Sequence, residues 1–117
     1  MDVLYLTKSD RDGNKVLIGE LAKTENEYIF RYTPETTDKP EGFIKVPTFK
    51  DTDRVYKSKD LFLFFVSRLY DRARPDLPQL LERYGLDDYD EWELLKATGA
   101  RLVTDSYELT QNRVRKP

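Results

Sequence analysis

The chain has 117 residues, with 20 Lys plus Arg against 22 Asp plus Glu, no His and no Cys, and a formal net charge of −2. Without His or Cys there is no Cys/His metal site, no disulfide framework and no Ser-His or Cys-His couple. Balanced charge lacks the basic excess of nucleic-acid binders, and the longest apolar run, Leu61–Val66, falls far short of the roughly 20 residues of a membrane-spanning helix.

The length suits one domain, read as residues 1–111 with a basic, flexible tail at 112–117. Aromatics at 13% argue against disorder. The opening Met1-Asp2-Val3 lacks the basic-then-apolar layout of a signal peptide, so the expected location is the cytoplasm.

Val3–Leu6 reads as a first strand, closed by the polar cluster Ser9–Asn14, whose Asp-Gly and Gly-Asn steps favour a hairpin. Lys15–Leu21 is a second strand. After a turn at Thr24–Asn26, Glu27–Tyr32 alternates as a third, with Tyr28, Phe30 and Tyr32 on one face. Residues 34–41 read as a loop, Phe43–Val46 as a fourth strand stopped by Pro47, and Phe49–Lys57 as an irregular surface segment.

The second half has helical punctuation. Ser58 is a candidate cap for a helix in which Leu61, Phe62, Phe65, Val66, Leu69 and Tyr70 recur at helical spacing and Pro75 is the stop. Asp76 and Pro78 open a second helix, with Leu77, Leu80, Leu81 and Tyr84 on its apolar face and Gly85 at its end. Asp88 with Glu91 resembles a capping box for a third, which carries Trp92, Leu94 and Leu95 and ends at Gly99. Leu102-Val103 and Tyr107–Leu109 return to the sheet. The fold class is α+β: a small antiparallel sheet of four to five strands against about three helices.

Several constellations admit two readings. The acidic run Asp87, Asp88, Asp90, Glu91 and Glu93 is either a cation site or a helix start, and it lacks the alternating oxygens of a calcium loop. Arg68 and Arg72 are neighbours on one helix face, with Arg74 and Arg83 beyond. They either meet a phosphate or acidic partner, or pair with Asp71 and Asp76. Trp92 either packs in the core, sharing a face with Leu95, or stands exposed as an interface anchor. The aromatic strand invites comparison with single-strand nucleic-acid binders, but Glu25 and Glu27 flank it. The five glycines form no phosphate loop, and nothing marks a perturbed base, so an enzyme is not expected.

Val16-Leu17-Ile18-Gly19-Glu20-Leu21 followed by Tyr28-Ile29-Phe30-Arg31-Tyr32 resembles the V-G-x-L … Y-x-F-x-Y stretch that opens HipA-type serine/threonine kinase toxins. Leu63–Leu69 resembles that family's F-F-x-N-L-L-P-E-G helix, and Tyr84-Gly85-Leu86 with Trp92–Ala100 resembles its L-G … L-L-x-x-T-G-G-D segment. Ser67–Arg72 replaces the N-L-L-P-E-G run, and Ala100-Arg101 stands where the family has Gly-Asp. The kinase's ATP loop and catalytic aspartate have no counterpart in residues 1–117.

The resemblance implies a detached N-terminal subdomain, non-catalytic and without a cofactor. It would bind and restrain a HipA-like kinase, or that kinase's helix-turn-helix partner, in a toxin–antitoxin system, with neither nucleic acid nor membrane as direct partner. Trp92, Phe64, Tyr89, Arg68 and Arg72 are the candidate partner-binding residues, the three aromatics drawn from an aromatic surplus in the helical half and the two arginines from the basic helix face. The alternative is a small nucleic-acid-binding or enzyme-inhibiting accessory protein of a mobile element.

Overall fold

Alternating apolar residues and two well-built turns produce the N-terminal meander. In the computed structural model, which describes residues 2–33 and 40–112, β1 (Asp2–Ser9), β2 (Lys15–Lys23) and β3 (Tyr28–Tyr32) pair antiparallel in sequence order. In the first turn the Asp10 carboxylate accepts from the backbone N–H groups of Asp12 and Asn14, both at 2.9 Å, while Gly13 takes φ +82°. Thr24 Oγ1 accepts from Glu27 N–H in the second.

Two short strands complete the sheet, β4 (Tyr56–Ser58) beside β3 and β5 (Tyr107–Thr110) beside β1, in the order β4-β3-β2-β1-β5. Register places Leu4, Leu21, Phe30 and Tyr56 in one cross-strand row, and Leu109, Leu6, Gly19 and Tyr32 in the next. These rows form the covered face. Gly19 is required there because a Cβ would lie 2.5 Å from the Arg31 carbonyl oxygen and 2.8 Å from the Phe30 ring.

In the middle of the chain one sequence expectation fails and another holds only in part. Phe43–Val46 is not a strand: α1 (Glu41–Ile44) is one helical turn, started at Pro40, whose carbonyl accepts from Phe43 N–H at 2.9 Å. Val46 N–H goes to the Tyr32 hydroxyl at 2.8 Å rather than to a neighbouring strand. Phe49–Lys57 is an irregular surface segment at residues 50–55, as expected, but not at its two ends. Phe49 is fully buried, stacked on Phe30 with ring centroids 4.1 Å apart, and Tyr56–Lys57 belongs to β4. Phe49 also meets the rings of Tyr56, Phe62, Phe64 and Phe65, and so lies at the centre of the aromatic core.

That packing shortens the first expected long helix. α2 (Leu63–Val66) is a single turn entered from extended Phe62, and residues 67–76 run on as turns. Phe62, Phe64 and Phe65 all reach the Phe49 ring, and positions 62, 64 and 65 do not share one face of a continuous helix. Ser67 Oγ turns back to donate to the Phe64 carbonyl, and Arg68 is drawn into the interior. Ser58 ends β4 instead of capping this helix; its hydroxyl accepts from Asp60 N–H.

The later helices lie where the sequence places them. α3 (Leu77–Arg83) starts after Asp76 with Pro78 in its first turn, although the Asp76 carboxylate pairs with Arg74 rather than capping. It closes with Gly85 at φ +72° and Leu86 N–H donating to the Leu81 carbonyl, a left-handed C-terminal cap. α4 (Glu91–Thr98) is capped by Asp90, whose carboxylate accepts from Glu93 N–H at 3.0 Å, so the cap sits two residues later than expected, with the Glu93 carboxylate turned to Lys96. Gly99 ends α4 at φ +71° and its carbonyl accepts from Leu109 N–H, which ties the helix end to the outer edge of β5. Leu102 and Val103 lie on the loop before β5, outside the sheet.

The α+β expectation therefore stands, with one five-stranded antiparallel sheet and four helices among the described residues, two of them single turns. Residues 34–39 of the expected loop and 113–117 of the expected tail lie outside the described residues. No helix among the described residues is long and apolar enough to cross a membrane.

Candidate partner-binding surface

The five candidate residues do not form one patch. Phe64 and Arg68 meet at one place, Arg72 and Tyr89 at another, and Trp92 lies inside the core.

Arg68 is the most constrained of them. Its Nη1 donates to the Ala100 carbonyl at 2.9 Å, its Nη2 pairs with the Asp105 carboxylate, and its side chain is only 3% exposed. The guanidinium lies 4.5 Å from the Phe64 ring centroid and 5.2 Å from that of Tyr107, and those two rings meet edge-to-face. The arrangement holds the 100–105 loop against α2. Within that loop Ala100 has φ 54°, a left-handed conformation that non-glycine residues rarely adopt. Burial, with Asp105 adding to it and Arg68 opposing, raises the Tyr107 pKa. Arg68 and Phe64 are thus structural neighbours with little free surface, and the guanidinium has no room for an incoming phosphate.

The second pair is more open. The Arg72 guanidinium stacks 3.9 Å from the Tyr89 ring centroid, and the Tyr89 hydroxyl donates to the Tyr70 carbonyl at 2.6 Å. Tyr70 and Tyr84 share a hydroxyl–hydroxyl hydrogen bond at 3.2 Å, which is the main cause of the raised Tyr70 pKa. Arg72 is exposed while Tyr89 is half-buried, so this pair presents a cation–aromatic surface where the segment before α3 meets the turn before α4.

Trp92 resolves to its core reading. It is 2% exposed, 6.2 Å ring to ring from Tyr28, and joins Leu95 in the central cluster. The exposed-anchor reading is corrected accordingly: the i, i+3 pairing with Leu95 carries the residue inward. Its Nε1–H is buried with no acceptor among the described residues.

Most of the aromatic surplus is buried or packed against the core, and no aromatic among the described residues is fully exposed. Phe30 and Tyr32 are buried and Tyr28 packs against the same cluster, so the strand aromatics face the helices and offer no stacking platform. Exposed large apolar side chains are aliphatic instead: Leu63 at 78%, Val55, Leu102 and the fully exposed Val103. Leu63 follows from the run Leu61–Val66, which is apolar on all sides and cannot be buried on all of them. Asp105 and Ala100, which fix Arg68, have no signal in the sequence because the contact spans more than thirty residues. The acidic run separates in the structure: Asp90 caps α4 and Glu93 pairs with Lys96. Among the described residues, no three carboxylates converge as a cation site.

The HipA N-terminal domain family matches residues 13–103, from the first turn to the exposed Val103. No curated protein and no solved structure matches the chain. The match takes in β2, β3 and all four helices of the structure just described, and the chain belongs to the HipA N-terminal domain family, in a HipA-related toxin–antitoxin context.

Proposed function

We propose that this protein is a non-catalytic regulator that binds a HipA-like serine/threonine kinase, or its helix-turn-helix partner, in the cytoplasm and restrains the kinase. The family match over residues 13–103 is the observation that carries this reading, because the HipA N-terminal domain is a non-catalytic subdomain. The site chemistry agrees with a packing role. Burial raises the phenols of Tyr28, Tyr32, Tyr89 and Tyr107, which leaves them protonated near neutral pH and suited to hydrogen bonding rather than to acid–base work.

Exposed aliphatic side chains on two separate elements supply what a partner would cover. Leu63 projects from α2, and Val103 stands on the loop that Arg68 ties down at Ala100 and Asp105. Titration calorimetry of this protein against a HipA-type kinase from the same organism tests the reading. Saturable binding with loss of kinase activity is the expected result. No heat and no co-elution with that kinase or its DNA-binding partner would overturn it.

A further inference from the structure

The turn that joins α3 to α4 builds a shallow groove of about 450 Å³ that belongs to neither pair of candidate residues. Leu81 is its buried floor, Leu77 and Leu86 are its half-buried walls, and Pro78 lies at its edge. The groove exists because of the helix cap: the Leu86 N–H to Leu81 carbonyl bond at 2.9 Å folds the chain back and leaves Leu86 beside the helix. The mouth stays open over Gly85, where a Cβ would meet nothing within 4 Å.

Two carboxylates, Glu82 and Asp87, line this apolar floor, and neither joins an ion pair among the described residues. They belong to a strongly acidic stretch. Residues 82–93 hold six carboxylates against the single Arg83. Of these, Asp90 is committed to the α4 cap and Glu93 to Lys96, whereas Glu82, Asp87 and Asp88 are exposed. An apolar trough between unpaired acids selects by charge as well as by shape, since a low-dielectric wall beside like charges concentrates their field.

We infer that this groove docks a basic segment of a partner protein, one that seats an aliphatic side chain on Leu81 between Lys or Arg residues facing Glu82 and Asp87. The inference rests on the reading of this protein as a binding module and adds the chemistry of the segment it receives. An acidic or phosphorylated segment is excluded by repulsion from the same two carboxylates.

The test is an NMR titration of the full ¹⁵N-labelled chain with acetyl-Lys-Leu-Lys-Lys amide, alongside acetyl-Glu-Leu-Glu-Glu amide. The lysine peptide should shift the amides of residues 77–87 saturably, and added salt should weaken it. The double variant Glu82→Gln/Asp87→Asn, at exposed positions, should weaken it about three- to tenfold. Shifts of equal size with the acidic peptide, shifts centred elsewhere, or no saturable shift would each overturn the inference. Failure of the kinase titration with a positive result here would remove the kinase as partner and leave the groove's selectivity standing.

Discussion

Arg68 and Asp105, 37 residues apart, form an ion pair whose two halves meet water very differently: the Arg68 side chain is 3% exposed and that of Asp105 is 31% exposed. Removing either partner therefore has unequal consequences. Asp105→Ala leaves a buried guanidinium with only the Ala100 carbonyl and two ring faces, and is expected to cost about 3 kcal/mol. Arg68→Met keeps the aliphatic stem between Phe64 and Tyr107 and leaves a carboxylate that still reaches solvent, for a cost of about 1–2 kcal/mol. Urea denaturation of both variants measures the order. A larger loss for Arg68→Met would locate the contribution in packing rather than charge.

Tyr32 makes the fold sensitive to alkali. Its hydroxyl donates to the Phe49 carbonyl at 2.5 Å and accepts from Val46 N–H, and burial pushes its pKa up to about 12. In the unfolded chain a tyrosine ionises near 10, so the unfolded state releases this proton first. The stability from neutral Tyr32 is complete below pH 10 and falls as pH rises through 12. At about 1.4 kcal/mol per pH unit the loss approaches about 3 kcal/mol. Tyr32→Phe should start lower by about 1–3 kcal/mol, with Val46 N–H and the Phe49 carbonyl unpaired, and should lose less between pH 10 and 12. Parallel stability curves for the two proteins over that window would exclude Tyr32 as the source.

Much of the sheet and of the helix ends is legible from the sequence because their signals are local. The alternation of Tyr28, Phe30 and Tyr32, the turn at Asp10–Asn14 and the glycines at 85 and 99 each fix a piece of backbone within a few residues of themselves. Phe49 is not legible in the same way. It stands in a polar stretch, and only the approach of Phe30 and Phe62 from distant elements makes it the centre of the core. The same cluster interrupts the helix that the spacing from Leu61 to Tyr70 implies. The candidate surface is harder still to read, since exposure of an aromatic depends on what the fold leaves uncovered. Here the rings are taken inward and the aliphatic Leu63 and Val103 remain outside.

Trp92 is expected to act on stability rather than directly on binding. Trp92→Ala opens a cavity beside Tyr28 and Leu95 and should cost about 3–5 kcal/mol, enough to unfold a domain of this size. Trp92→Phe keeps most of the ring contact and removes the Nε1–H that finds no acceptor, so its cost should be smaller by about 2 kcal/mol or more. Thermal unfolding of the two variants separates these effects. Equal melting temperatures for Trp92→Ala and the parent would show the indole to be dispensable to the core.

Leu63 and Val103 offer the direct test of the exposed surface. Both project into solvent, so Leu63→Asp and Val103→Asp should each leave stability within about 0.5 kcal/mol of the parent. An anchor side chain at a protein interface contributes at least about 2 kcal/mol. Replacing it by a carboxylate should therefore weaken binding to the HipA-type kinase more than tenfold, read by calorimetry on variants shown to be folded. The loop that carries Val103 is held by Asp105, so Asp105→Ala should lower affinity along with Val103→Asp and not with Leu63→Asp. Unchanged affinity in both surface variants would take the contact away from α2 and the 100–105 loop. It would leave the Arg72–Tyr89 face and the acidic groove beside Leu81 as the surfaces to vary next.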